Sequence, residues 1–139
     1  MNEVAQENLE HLKLLSIFHY VVAALAVIFA SIFIIHLILG IVALVSPESL
    51  KDEAGRIPPP VFGWIFTILG SSIVLGGWIY AICLVFAGRF LARKKHRLYC
   101  LVMAAVSCIF FPFGTVLGVF TIIILMRPAV KELFALSTS

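Results

Sequence analysis

His36 stands in a run of 32 residues, Leu14 to Val45, that contains no Asp, Glu, Lys or Arg. An imidazole titrates near neutral pH, so in such a setting it can accept a proton or line a polar path. Counted by depth along their helices, Ser71, Ser72 and Thr121 reach a level similar to His36. Polar groups inside a membrane face other protein groups rather than lipid. His36, Ser71, Ser72 and Thr121 are therefore expected to form an intramembrane polar layer pointing into a helix bundle. The simpler role for His36 is a hydrogen bond to one of these hydroxyls that sets helix register. The functional one is a proton-accepting or pore-lining group. His19 is expected near the inner membrane boundary, within reach of water or lipid phosphate. It lies ~25 Å along a helix from His36, so axial haem ligation by such histidines would require a homodimer with matching helices.

The remaining inventory argues against chemistry. No Asp or Glu falls inside an apolar run, and no HExxH, Ser/His/Asp or paired-carboxylate arrangement is present. Cys83, Cys100 and Cys108 lie in apolar runs without CxxC or Cys/His spacing, which suits packing rather than metal binding. An enzyme is not expected, and neither is a metal, a cofactor or a nucleic-acid partner.

The elements that must position these residues follow from composition. Of 139 residues, 63% are hydrophobic and 12% charged, against about 45–50% and about 25% in soluble domains. There are too few charges to cover a water-facing surface. Val61 to Gly88 and Leu98 to Met126 are two further charge-free runs. Backbone amides in hydrocarbon must pair within their own segment, so such runs are helical. About 20 apolar residues cross a bilayer core, and the first two runs exceed that. The fold expected is an all-α integral membrane helical bundle forming one transmembrane domain over residues 1–139. The N-terminus carries Glu3, Glu7 and Glu10 ahead of an apolar run far longer than a signal core, and does not read as a cleaved signal.

Charge sets the orientation. Residues 1–13 sum to −2, 46–60 to −1, and 89–97 to +5 from Arg89, Arg93, Lys94, Lys95 and Arg97. Basic loops are retained in the cytoplasm, which places 89–97 and the N-terminus inside and 46–60 outside. The same five cations suit anionic lipid head groups. The third run holds Phe111-Pro112-Phe113-Gly114-Thr115 at its middle. As a hairpin broken at Pro112–Gly114 it gives four transmembrane helices, with spans near 14–45, 61–88, 98–111 and 114–127. The alternative is three spans with a kinked third helix. Arg127 and Lys131 return to the cytoplasm only with the hairpin. Gly114-x-x-x-Gly118 and Ala104-x-x-x-Cys108 give its arms small faces for close contact. Each arm is short for a ~30 Å core. Pro128 opens a short interfacial helix, 128–136, with Ala129, Val130, Leu133, Phe134 and Leu136 largely on one side and Lys131 and Glu132 on the other. Gly76 and Gly77, with Gly70, Ser71 and Ser72, mark the second span for helix packing.

His11-Leu12-Lys13-Leu14-Leu15-Ser16-Ile17-Phe18-His19-Tyr20 resembles the opening of a group of small bacterial multi-span membrane proteins. Phe111-Pro112-Phe113-Gly114-Thr115-Val116-Leu117-Gly118-Val119-Phe120-Thr121 resembles their C-terminal motif, and Ala87-Gly88-Arg89-Phe90-Leu91 a turn they share. The resemblance implies a bacterial source and a place in the cytoplasmic (inner) membrane, and implies no activity. Three classes of function are weighed. The first is a structural or accessory membrane protein acting through helix contacts, with itself or within a larger membrane complex. The second is an oligomeric channel or transporter with His36 near the path, and the third is an enzyme.

Overall fold

A computed structural model describes residues 3–109 and 112–138. It contains α1 (Glu3–Ile32), α2 (Ile34–Val45), a 3-10 turn (Pro47–Leu50), α3 (Pro60–Ala92), α4 (Arg97–Ser107), α5 (Phe113–Met126) and α6 (Pro128–Thr138). Among the described residues there is no strand. Two segments are long and apolar enough to cross a membrane, Gln6–Val45 and Pro60–Ala92. A third qualifies if α5 and α6, bent by 78°, are taken as one. Over the described residues the chain is all-helical, with two or three segments apolar and long enough for a membrane protein.

The first run, expected as one span over 14–45, lies within the single candidate span Gln6–Val45, where regular helix is interrupted for one residue at Phe33. The Ser31 hydroxyl donates to the Val27 carbonyl at 2.7 Å, and the Phe33 amide turns to the Ala30 carbonyl at 3.1 Å. Side-chain bonding back to a carbonyl four residues earlier weakens the local helix, and a tightened turn of this kind is where regular geometry lapses. The Leu37 amide then returns to the Phe33 carbonyl and α2 proceeds.

α3 starts on Pro60, whose missing N–H costs nothing at a first helical position. It runs four residues past the expected end at Gly88 and closes in a Schellman arrangement. The Lys95 amide bonds the Phe90 carbonyl (2.9 Å) and the Lys94 amide bonds the Leu91 carbonyl (3.2 Å). Lys94 accordingly sits at φ 52°, a place glycine usually fills, and His96 follows at φ 50°.

The hairpin arms are shorter than the expected 98–111 and 114–127. α4 has 11 residues and α5 has 14, or ~16 Å and ~21 Å at 1.5 Å per residue. α4 ends early because the Cys108 amide is shared between the Ala104 and Ala105 carbonyls, and the Ile109 amide bonds Val106. The Thr115 hydroxyl then satisfies the Cys108 carbonyl at 2.8 Å. Phe110 and Phe111, at the middle of the expected turn, lie outside the described residues. α5 ends at Arg127, held extended (ψ 134°) because the following Pro128 disfavours the helical region there.

The chain divides into two compact units. One comprises Met1–Ala24 with Ala81–Ser139, and the other Leu25–Tyr80. In the first, Leu12 and Leu15 of α1 meet Leu91, Cys100, Leu117, Ile124, Leu125, Val130 and Phe134 in one core. α6 therefore turns Val130 and Phe134 into protein rather than lipid, while Lys131 and Glu132 are exposed. In the second unit α3 runs antiparallel to the α1–α2 segment through glycine contacts. A Cβ on Gly77 would meet Ala30, one on Gly70 would meet Leu37, one on Gly40 would meet Thr67, and one on Gly63 would meet Leu44. Each glycine lets a neighbouring helix approach where a side chain could not fit.

Candidate functional site

In the Leu25–Tyr80 unit, His36 sits between two aromatic rings. Its centroid is 5.2 Å from Phe33 and 5.8 Å from Phe66, against which it stacks. Its Nδ1 is buried without a hydrogen-bond partner, as is the Thr67 hydroxyl that faces Gly40. Ser71 gives its hydroxyl to the Ile68 carbonyl at 3.1 Å, one turn back on its own helix. Ser72 is exposed. Phe66 also lines an apolar groove of about 330 Å³ with Leu39, Ala43, Leu50, Pro58 and Phe62. Chemically, this unit offers an imidazole held by ring contacts, with one nitrogen free to accept or hold a proton.

Thr121 belongs to the other unit. It is fully buried, and its hydroxyl donates to the Leu117 carbonyl at 2.7 Å. The same unit holds four further buried polar residues that the expected polar layer did not include. Asn8, Ser16, His19, Ser107 and Thr121 are the buried polar residues among those described, and all fall in this unit. His19, expected near water, is 0% exposed. Its Nδ1 lies 2.9 Å from the Leu15 carbonyl, which assigns the ring hydrogen to Nδ1. Nε2 is then a bare acceptor, buried and unpartnered. Ser16 beside it donates to the Gly88 carbonyl at 2.7 Å, and a Cβ on Gly88 would meet Ser16 and His19. The signal for this set was the α1 stripe itself: Asn8, Leu12, Leu15, Ser16, His19 and Ala23 recur at spacings of three and four, the face a helix buries.

The glycines chosen for helix packing divide. Gly77 lies against Ala30 and Gly118 against Ala104 and Cys108, but a Cβ on Gly76 would meet nothing. Gly114 is buried. Cys100 is buried too.

The basic residues also separate. Arg89, Arg93 and Lys95 are exposed and Lys94 half-buried. Arg97 instead donates through Nε and Nη2 to the Leu125 carbonyl, at 3.1 and 2.8 Å. A cation at the C-terminus of α5 is favoured by the helix dipole. Phe90 braces the turn, with ring centroids 4.8 Å from His96 and 5.3 Å from Tyr99, both edge-on. No protein family, no curated protein and no solved structure matches the chain. What the arrangement can do therefore rests on its own geometry.

The loop before α3 carries the remaining charges. The Asp52 carboxylate accepts from the Arg56 amide (2.8 Å), the Ala54 amide (3.0 Å) and the Arg56 Nε (2.9 Å). These bonds, the Arg56 amide first, hold its carboxyl below the usual carboxylate range.

Proposed function

We propose that this is a small structural or accessory protein of the bacterial inner membrane, acting through helix–helix contacts as a homo-oligomer or as a subunit of a larger complex. One observation carries the reading. Gly40, Gly63, Gly70 and Gly77 are each filled by a neighbouring helix, whereas Gly76 is open and Ser72, one turn before it, is exposed. A small-residue step on an outward helix face is what close association between membrane helices uses. Trp78 is also exposed, at 45%, and an indole N–H in hydrocarbon is best satisfied by a protein partner.

The topology that goes with this reading has both termini and the basic turn in the cytoplasm. α4 and α5 then return the chain to the side from which it entered, as four spans or as a hairpin that dips and comes back. Cysteine substituted at Ser72 or Gly76 should crosslink between copies, or to a partner, in native membranes, and cysteine at Val74, on the buried face of α3, should crosslink much less. Equal crosslinking at all three positions would remove the reading.

A second reading keeps His36 near a conducting path in an oligomer. Its support is the buried, unpartnered Nδ1. His36→Leu should abolish proton or solute flux in vesicles if that path exists, and should leave the oligomer intact if His36 only packs.

A further inference from the structure

Among the described residues, both ion pairs join residues of the 46–60 loop, Glu48 with Lys51 and Asp52 with Arg56. No described carboxylate pairs with Arg89, Arg93, Lys94 or Lys95. Four unpaired cations therefore stand together where α3 ends. Arg89 and Arg93 are one turn apart and share a helix face. Their backbone is held on every side. The Arg93 amide bonds Arg89, the two Schellman bonds fix Lys94 and Lys95, and the Ser137 hydroxyl of α6 donates to the Arg93 carbonyl at 3.3 Å. The Phe90–His96 and Phe90–Tyr99 contacts lock the far side of the turn. A cationic corner with its backbone held this way has only the side chains themselves left to order on binding.

Two large apolar side chains protrude beside it. Leu98 is 74% exposed and Leu136, the neighbour of Ser137, is 76% exposed. Cations next to outward leucines match the boundary where phosphates meet acyl chains, and match no soluble polyanion. We propose that this corner binds the phosphate head group of an anionic phospholipid, through Arg89, Arg93 and Lys95, with Leu98 and Leu136 entering the acyl layer. Arg97 is not part of it, because its guanidinium is committed to the Leu125 carbonyl. The proposal is independent of whether the chain self-associates.

Native mass spectrometry and spin-labelled lipid binding on the full chain in nanodiscs test it, with phosphatidylglycerol against phosphatidylcholine. The wild type should retain phosphatidylglycerol selectively, and the selectivity should fall as salt is raised. Arg89→Gln, Arg93→Gln and Lys95→Gln combined should weaken it on the order of a hundredfold, at ~1 kcal/mol per cation. Arg89→Lys with Arg93→Lys should keep most of it, and Arg97→Gln should keep it all. An excess of inorganic phosphate should not displace the lipid. Wild-type selectivity that ignores salt, displacement by free phosphate, or equal loss in Arg97→Gln would each overturn the assignment. The salt series uses the wild type alone, so the proposal can fail whether or not the triple variant folds.

Discussion

At the scale of single residues, the same residue type does different work according to what lies beside it. Arg97 and Arg93 are four residues apart in one basic segment, yet one donates twice to the Leu125 carbonyl and the other faces outward. Hydrogen bonds from a charged donor contribute about 1.5–3 kcal/mol, and partial exposure of Arg97 puts it at the low end. Arg97→Gln should lower unfolding stability in detergent by about 1–2 kcal/mol, and Arg93→Gln should leave it within about 0.5 kcal/mol. Lys94 offers the opposite experiment. It occupies a left-handed position at the end of α3, where a side chain costs about 1–2 kcal/mol relative to glycine. Lys94→Gly should therefore raise stability, by up to about 1 kcal/mol after the added freedom of the unfolded chain is counted. A drop in stability would mean that the lysine side chain holds the turn. Gly118 and Gly76 make a third contrast. A leucine at Gly118 must displace the Ala104 carbonyl and Cys108, and overpacking of this kind costs about 1–3 kcal/mol. Gly76→Leu meets nothing within the chain. It should spare thermal unfolding while reducing association.

At the scale of elements, the loop between α2 and α3 has a pH dependence whose sign is determined. Bonds from the Arg56 and Ala54 amides and the Arg56 side chain stabilise the Asp52 carboxylate in the folded loop and lower its titration. Such a group contributes stability above its unfolded value of about 3.9. The contribution is lost as pH falls below that value and through the depressed one. Carboxyl-carbon NMR should show Asp52 titrating below its unfolded value, and Asp52→Asn should remove the acid-induced change in the loop amides. Pro60, at the end of a three-proline run, opens α3 one residue before the expected span, whereas the helix beginning at Pro128 was legible in the sequence, because proline accepts few other positions. So was the close contact of Gly118 with Ala104 and Cys108. The interruption at Phe33 was not, since it depends on which carbonyl the Ser31 hydroxyl chooses. Nor was the length of α4: its end is set by a shared amide and the Thr115 hydroxyl, and hydropathy does not report either.

At the scale of the whole molecule, a membrane protein was legible from composition alone, because 12% charge cannot clothe a soluble surface. The polar interior was less legible. Depth counting drew attention to His36, while the helical stripe of α1 places Asn8, Ser16 and His19 inside the other unit. A reporter fused after Ser139 should read as cytoplasmic. A periplasmic signal would mean that α4 and α5 act as one kinked span.

The glycine contacts in the Leu25–Tyr80 unit carry one more consequence. In the pairs Ala30–Gly77, Leu37–Gly70, Gly40–Thr67 and Leu44–Gly63, the two residue numbers always add to the same value, so the helices are meshed like a rack with one allowed setting. Inserting a single residue between Gly63 and Gly77 turns the helix beyond it by ~100° and disengages every tooth past that point. The same insertion in the exposed 51–57 loop changes no tooth. Tolerance to insertion should therefore change abruptly at the start of α3, and a scan of one-residue insertions through 51–77 would display the step.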